Sequence, residues 1–524
     1  MIPGSLKYQA YYTKSDYILD YMVGMLNVQS RDSILEPCGG DGAFVDKILP
    51  ISNDINIDVL ELNPDAILLL NNKYRNYRRI HIRHTDTLLD EEIVNCRKMY
   101  DKIIGNPPYG ARHDETKKSA LNSLYPNLYT KESYTLFLYQ GIMCLKEGGR
   151  LCFIIPDTFL SLHRHENLRK YILLNTKIIE LSLFPSSFFP GVNFGYANLC
   201  IITLEKSSNI SENLSNAIKI RNYFSDVSQL TKSDNQLYSI LNQGNVLSNV
   251  ASAFMIKANP HLIELINDES VLKIGDIADC VTGFYSGEDK KYLHPVSKEI
   301  KNSKRYACAS ESNMRWRPLN PVEQKEGIAS TDYLIPIVKG GNTPFMKPTL
   351  WFMDWSRNAV KEYRLSKKCR FQNSEYYFKE GIAIPMIRSS KMTAALMEGR
   401  LFDQSIVGVF PKDMKLLKYL LAFFNSKVCT ELISAINPSA NNSANYVKKI
   451  PVIIPSDGVR REIDRIVDEI MDILRMGRGS IDTLKSKLDK IFFAIYSERM
   501  TSRELSTKTV NRLNSQPILP CLFD

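Results

Sequence analysis

The feature that most restricts how this 524-residue chain can fold is a series of short apolar runs in its first half. Each run is closed by glycine, proline or a carboxylate, and most are followed by a helical pattern. "DSILEPCGGDGAFV" reads as strand, Gly-rich turn and helix, and "INIDVLELNPDAILLLNNKY" as a second strand and helix. "RRIHIRHTDTLL" and "YDKIIGNPPY" end in polar or imino residues. "TLFLYQGIMCLKEGGRLCFIIP" gives helix, turn and strand, and "TKIIELSLFP" and "NLCIITLEK" give two more strands. Apolar strands alternating with helices predict a parallel, doubly wound α/β sheet of Rossmann-like type. Ligands of such sheets bind beyond the carboxyl ends of the strands. Glu36, Glu61, Asp86 and Asn106 all fall at such ends.

The chemistry those ends suggest differs from strand to strand. Gly40 and Gly42 in "EPCGGDG" let the backbone approach a ligand closely, although Gly-rich turns are also common structural devices. Glu61, about 20 residues further on, can accept both hydroxyls of a ribose, or can serve as a charge at a helix N-terminus. Asp86 can accept an adenine amino group or cap a helix. The most specific stretch is Asn106-Pro107-Pro108-Tyr109. Two prolines stop both helix and central strand. An exocyclic amine on a nucleobase is conjugated with its ring and is a poor nucleophile. Two acceptors that bend its N–H bonds out of plane make it attack. The Asn106 side-chain oxygen is one such acceptor. The Pro107 carbonyl, its direction fixed by Pro108, is the other, and Tyr109 can stack on the base.

The alternation fades after about Lys206. Residues 207–250, rich in Ser and Asn, read as a connector with some secondary structure, and from Val271 a second mixed α/β domain runs to about Pro455. "REIDRIVDEIMDIL" and "SIDTLKSKLDKIFFAIY" predict a terminal helical hairpin joined at "RMGRGS". The net charge of +10 is concentrated: Lys339 to Arg400 holds twelve Lys/Arg against five Asp/Glu. That segment is either a polyanion-binding surface or a solvated basic face. The ten cysteines include no CxxC pair, which argues against a zinc knuckle or disulfide framework. His163-Arg164-His165 is expected to be a solvated loop rather than a metal site, and His81 and His84 face opposite sides of one strand. No metal is expected. The start lacks a signal peptide, and no run approaches the roughly 18 apolar residues of a membrane span.

The order "YYTKSDYI", "ILEPCGGDGAF", "ELNP", "TD", "GNPPY", "YTLFLYQGIMCLKEGGRLCFIIPDTFL", "FFPG", followed by a long carboxyl-terminal domain, resembles gamma-class adenine-N6 DNA methyltransferases of restriction–modification systems, such as TaqI-type modification enzymes. The resemblance covers about residues 8 to 206. "YYFKEGIAIP", "RLFDQSIVGVFP", "KYLLAFFNSKVCTELI" and "YVKKIPVIIP" look like target-recognition segments. It implies S-adenosylmethionine as cofactor, held by Thr13, Glu36, Cys38, Gly40, Glu61, Leu62, Asp86 and Phe137. The family often has Thr-Pro where this chain has Thr13-Lys14. It implies catalysis by Asn106, Pro107, Pro108 and Tyr109, with Phe189 against a flipped-out adenine.

Under this resemblance residues 1–249 form the methyltransferase domain and 250–455 the DNA target-recognition domain. Residues 456–500 form the hairpin and 501–524 a tail. Lys361, Arg364, Lys367, Lys368 and Arg370 are the candidate phosphate contacts to double-stranded DNA. The motifs begin within the first dozen residues, so any cognate restriction endonuclease is expected to be a separate protein. A cytoplasmic location in a prokaryotic cell is expected. An RNA base amine, a glutamine side-chain amide or a non-catalytic DNA-recognition role are the competing readings. The long second half weighs against the glutamine enzymes, and the intact motifs weigh against a non-catalytic subunit.

Overall fold

The computed structural model describes residues 13–109, 113–188, 198–221, 226–231, 238–256, 258–439 and 441–514, with side chains to 499. Phe189 lies outside the described residues. The chain divides into two units, Met1–Ile256 and Lys257–Asp524.

The first unit is built on one nine-stranded sheet. Its strands are β1 (Ser33–Glu36), β2 (Asn56–Glu61), β3 (Ile80–His84), β4 (Tyr100–Gly105), β5 (Leu145–Pro156), β6 (Thr176–Pro185), β7 (Asn198–Lys206), β8 (Ala217–Arg221) and β9 (Tyr238–Asn242). Their order is β3-β2-β1-β4-β5-β7-β6-β8-β9. Neighbours from β3 to β5 pair in parallel, and β7 runs antiparallel between β5 and β6. β1, β2 and β4 are buried along nearly their whole length, which is why they read as unbroken apolar runs. The edge strand β3 is instead less buried, with Ile80, Ile82 and Arg83 half-buried and His81 and His84 exposed. From β1 the chain moves outward through β2 and β3, then returns to β4 on the other side of β1. That reversal opens a crevice at the carboxyl ends of β1 and β4.

The secondary structure expected within residues 207–250 takes a definite form: β8 pairs with β6, and β9 with β8, so this stretch extends the sheet by two strands. Two of its Asn residues cap helices. Asn209 accepts from Glu212 N, and Asn242 from Asn245 N.

The second unit has two smaller sheets. One runs in the order Ala278–Thr282, Ile406–Pro411, Ile382–Pro385, Ala395–Leu396, Phe345–Met346. The other runs Leu293–Pro295, Trp351–Asp354, Leu334–Val338, Leu401–Phe402. Aromatic rings fill its core, with Phe284 5.0 Å from Tyr363 and 5.9 Å from Trp355. The helix Asp457–Met476 ends at Gly477, whose φ of 61° gives the left-handed cap. The helix Asp482–Asn514 follows and continues past the expected 501 boundary. Phe492 and Tyr496 of that helix pack on Phe423, Tyr496 in a stacked contact at 5.8 Å, so the hairpin belongs to the core of this unit. Among the described residues no single helix is long and apolar enough to cross a membrane.

Candidate active site

β1 ends in a turn that only glycine can make. Gly40 and Gly42 have φ of 55° and 78°. A side chain at Gly39 would stand 2.2 Å from Val59 Cγ1 of β2, so the turn lies directly against that strand, and Gly39 N donates to Leu60 O at 2.9 Å. Glu61 closes the arrangement. Its Oε2 accepts from Gly40 N at 2.8 Å, and its Oε1 from Leu62 N and Asn63 N at 2.8 and 2.7 Å. Three backbone amides thus fix one carboxylate, and Oε2, which accepts only one of them, keeps a further lone pair for a ligand.

Glu36 is buried beside it, and its Oε2 has no hydrogen-bond partner. Burial pushes this carboxyl well above the usual range, and the charges of Asp41 and Glu61 push the same way. Burial also raises Asp41, with Lys73 opposing. An acidic cradle with an unsatisfied buried oxygen suits a ligand that carries positive charge. Burial likewise raises the Cys38 thiol, toward whose sulfur the Asn106 backbone amide donates. A Cβ at Gly105 would lie 3.3 Å from Cys38 Sγ, so glycine there brings the ends of β1 and β4 together.

Asn106 follows β4 directly. Its Nδ2 donates to Thr13 Oγ1 at 3.1 Å, and its Oδ1 accepts from the Tyr109 hydroxyl. Thr13 is buried, as is Pro107, while Pro108 is half-buried. Tyr109 is only 3% exposed, and its hydroxyl also lies 3.3 Å from Ile154 O. The ring expected to stack on a base is therefore packed inward here, and it offers a face only by rotating away from Asn106.

The other expected cofactor residues surround the same strand ends. Leu62 is 41% exposed. Asp86 accepts from Leu88 N at 3.2 Å and forms an ion pair with Lys117, so it stabilises its own turn and also holds a cation. Phe137 belongs to the buried core of the first unit. Thr87 donates to Pro37 O and ties the turn after β3 to the turn after β1. Lys117, Thr87 and the Thr13–Asn106 bond had no local signal in the sequence, because their partners lie 31, 50 and 93 residues away.

The His163-Arg164-His165 expectation is corrected. His165 is buried, with Nε2 2.9 Å from Glu132 Oε2, and Arg164 pairs with the same carboxylate. Glu132 is itself buried and requires those partners. Among the described residues no group of three or more His, Cys, Asp or Glu is placed to hold a metal ion.

In the second unit the helix Arg357–Leu365 buries Ala359, Val360 and Tyr363, which turns Lys361 and Arg364 outward. Lys361, Arg364, Lys367, Lys368 and Arg370 are all exposed. Arg364 donates to Lys325 O at 2.8 Å and lies over the Phe371 ring, and Lys368 stands 3.4 Å from Glu288. Lys361, Lys367 and Arg370 pair with no acid among the described residues.

Comparison with known proteins bears on these features together. The family described as Eco57I restriction-modification methylase matches residues 51–189. The type II methyltransferase M.HindII of Haemophilus influenzae is 28% identical over 300 residues, which are 53% of this chain and 53% of that protein. M.HincII of Haemophilus influenzae is 30% identical over 203 residues, 37% of this chain and 36% of its own length. The match thus spans about half or less of these curated relatives. Among solved structures, the cryo-electron microscopy structure of DrdV in complex with DNA is similar in fold. Its TM-score is 0.55 at 12% identity, covering 90% of this chain and 58% of that one. The acidic cradle, with its unfilled Glu36 oxygen, fits S-adenosylmethionine, which carries both a sulfonium and an ammonium group. Over residues 51–189, which hold Glu61, Asp86 and Asn106, the chain matches the Eco57I restriction-modification methylase family.

Proposed function

We propose that this protein is a site-specific DNA methyltransferase that methylates N6 of an adenine rotated out of duplex DNA, as the modification enzyme of a restriction–modification system. The observation that carries this reading is the Asn106 amide. It stands at the end of β4, next to the reversal point of the sheet, with its nitrogen given to Thr13 and its oxygen accepting from the Tyr109 hydroxyl. When bound, S-adenosylmethionine supplies an electrophilic methyl group on a sulfonium. Glu36, Cys38, Gly40, Glu61, Leu62, Asp86 and Phe137 are the residues that would hold it. The Tyr109 hydroxyl releases Asn106 Oδ1 as the base enters. That oxygen and the Pro107 carbonyl then accept the two amine N–H bonds, so the nitrogen lone pair becomes available for attack. No strong base is needed, because the methylated amine loses its proton readily to water. Rotating an adenine out of a duplex costs a few kcal/mol. The exposed cations around the helix Arg357–Leu365 are suited to repaying it through phosphate contacts.

The test supplies labelled S-adenosylmethionine with unmethylated duplex DNA and with structured RNA. The expected result is label in the duplex, recovered after digestion as N6-methyladenine. Recovery as N4-methylcytosine, or label in the RNA alone, overturns the adenine-DNA reading.

A further inference from the structure

Cys96 and Cys144 form a thiol pair away from the Asn106 turn. Their sulfur atoms are 3.5 Å apart. Cys96 follows the short helix Glu91–Val94 and is held at a φ of 47°, with its side chain partly exposed. Cys144 is the last residue of the helix Ser133–Cys144 and is buried. One side chain links them: Gln140 Nε2 lies 3.4 Å from Cys96 Sγ and 3.6 Å from Cys144 Sγ. Cys144 Sγ also donates to Ile93 O at 3.4 Å. The hydrogen bond from Cys144 brings the Cys96 thiol down to about 7, aided by Gln140 and by the Lys206 ammonium. Cys144 is pushed up by the same hydrogen bond and by burial. The pair therefore has one accessible sulfur, donors and a cation that favour its thiolate, and a second sulfur within reach. These features mark peroxide-sensitive cysteines.

We infer that Cys96 and Cys144 are a site of reversible oxidation by hydroperoxides, closing to an intramolecular disulfide. The Cys96 thiolate attacks one peroxide oxygen, the O–O bond breaks, and a sulfenic acid forms as hydroxide leaves and takes up a proton. The Cys144 sulfur then attacks the Cys96 sulfur and forms the S–S bond. The sulfenic oxygen leaves as a second water with the Cys144 proton. Two thiols and one peroxide become one disulfide and two waters, and a thiol reductant reverses the change.

The inference does not rest on the methylation reading, because its readout is covalent. The full-length protein, reduced and then treated with stoichiometric hydrogen peroxide, is alkylated and mapped by mass spectrometry. A cross-linked Cys96–Cys144 peptide, about 2 Da lighter than the two reduced peptides, is expected before oxidation of the exposed Cys308. Cys144→Ser should leave a Cys96 sulfenic acid that dimedone traps, and Cys96→Ser should leave Cys144 unreacted. Oxidation of Cys308 ahead of Cys96, or sulfenic acid accumulating at Cys96 in the unmutated protein with no cross-link, overturns the proposal.

Discussion

With its nitrogen on Thr13 and its oxygen accepting from the Tyr109 hydroxyl, the Asn106 amide is held in one of its two orientations. Thr13→Val keeps the side-chain volume and removes the acceptor of this part-buried N–H, at a cost of about 1 kcal/mol. If that cost falls on the reacting geometry, kcat drops severalfold while KM for S-adenosylmethionine stays nearly constant, and Thr13→Ser restores the rate. If Thr13 instead holds the cofactor's carboxylate, KM rises; steady-state kinetics at varied cofactor separates the two. Asn106→Ala should lower single-turnover transfer by about 10² to 10³-fold with cofactor binding by calorimetry nearly unchanged, and near-normal turnover would refute its role. Glu36 makes a pH prediction. Burial, with Asp41, Glu61 and Asp46, raises its native value above the unfolded one, and Lys73 opposes only in part. The native state then holds a proton that the unfolded chain has released, so stability falls as pH rises from the ordinary carboxyl range through the native value. Glu36→Gln removes that slope. Denaturant titrations of the two proteins should diverge with rising pH, the variant becoming the more stable, and parallel curves would show that Glu36 does not carry the shift.

At the scale of elements, the strands of the first half were legible because strands buried on both faces must be apolar runs, whereas the antiparallel place of β7 between β5 and β6 had no such signal. The site positions were legible for a related reason, since Glu36, Glu61, Asp86 and Asn106 interrupt those runs at the ends where a doubly wound sheet opens. Contacts that depend on distant residues were not legible. His165 looked like part of a polar loop because its partner, Glu132, is 33 residues away. β8 and β9 were hidden by the Asn caps around them. Gly40 and Gly42 drew attention in the turn, yet it is Gly39 whose lack of a side chain lets the turn lie on β2. Gly39→Ala would press a methyl group into Val59, a β-branched side chain confined by its strand. Overpacking of this kind costs about 1–3 kcal/mol. The strain acts two residues before Glu61, so both thermal stability and cofactor affinity should fall. Val59→Ala should recover part of both in the double variant. Two losses that simply add would show that the two side chains do not meet.

At the scale of the whole molecule, the two units divide the work in the proposed reaction: the first carries the Asn106 turn and the acidic cradle, the second the concentrated positive charge. A cradle rich in carboxylates repels a polyanion. Duplex binding must therefore draw its electrostatic energy from elsewhere, and the exposed face of the helix Arg357–Leu365 and the residues after it offer it. Arg364 and Lys368 already have partners within the protein, whereas Lys361, Lys367 and Arg370 form no ion pair among the described residues. Each phosphate contact releases condensed counterions and contributes about 0.9 to the slope of log K against log salt. Replacing Lys361, Lys367 and Arg370 together by alanine should reduce that slope by about 2.7 if all three touch phosphates. The loss should be nearly equal on target and non-target duplexes, because phosphate contacts position the protein without reading sequence. Replacing Arg364 should instead weaken the packing over Phe371 and lower thermal stability. Fluorescence anisotropy across a salt series measures the slopes. An unchanged slope in the triple variant would move the phosphate contacts off this helix and leave its charge a solvated face.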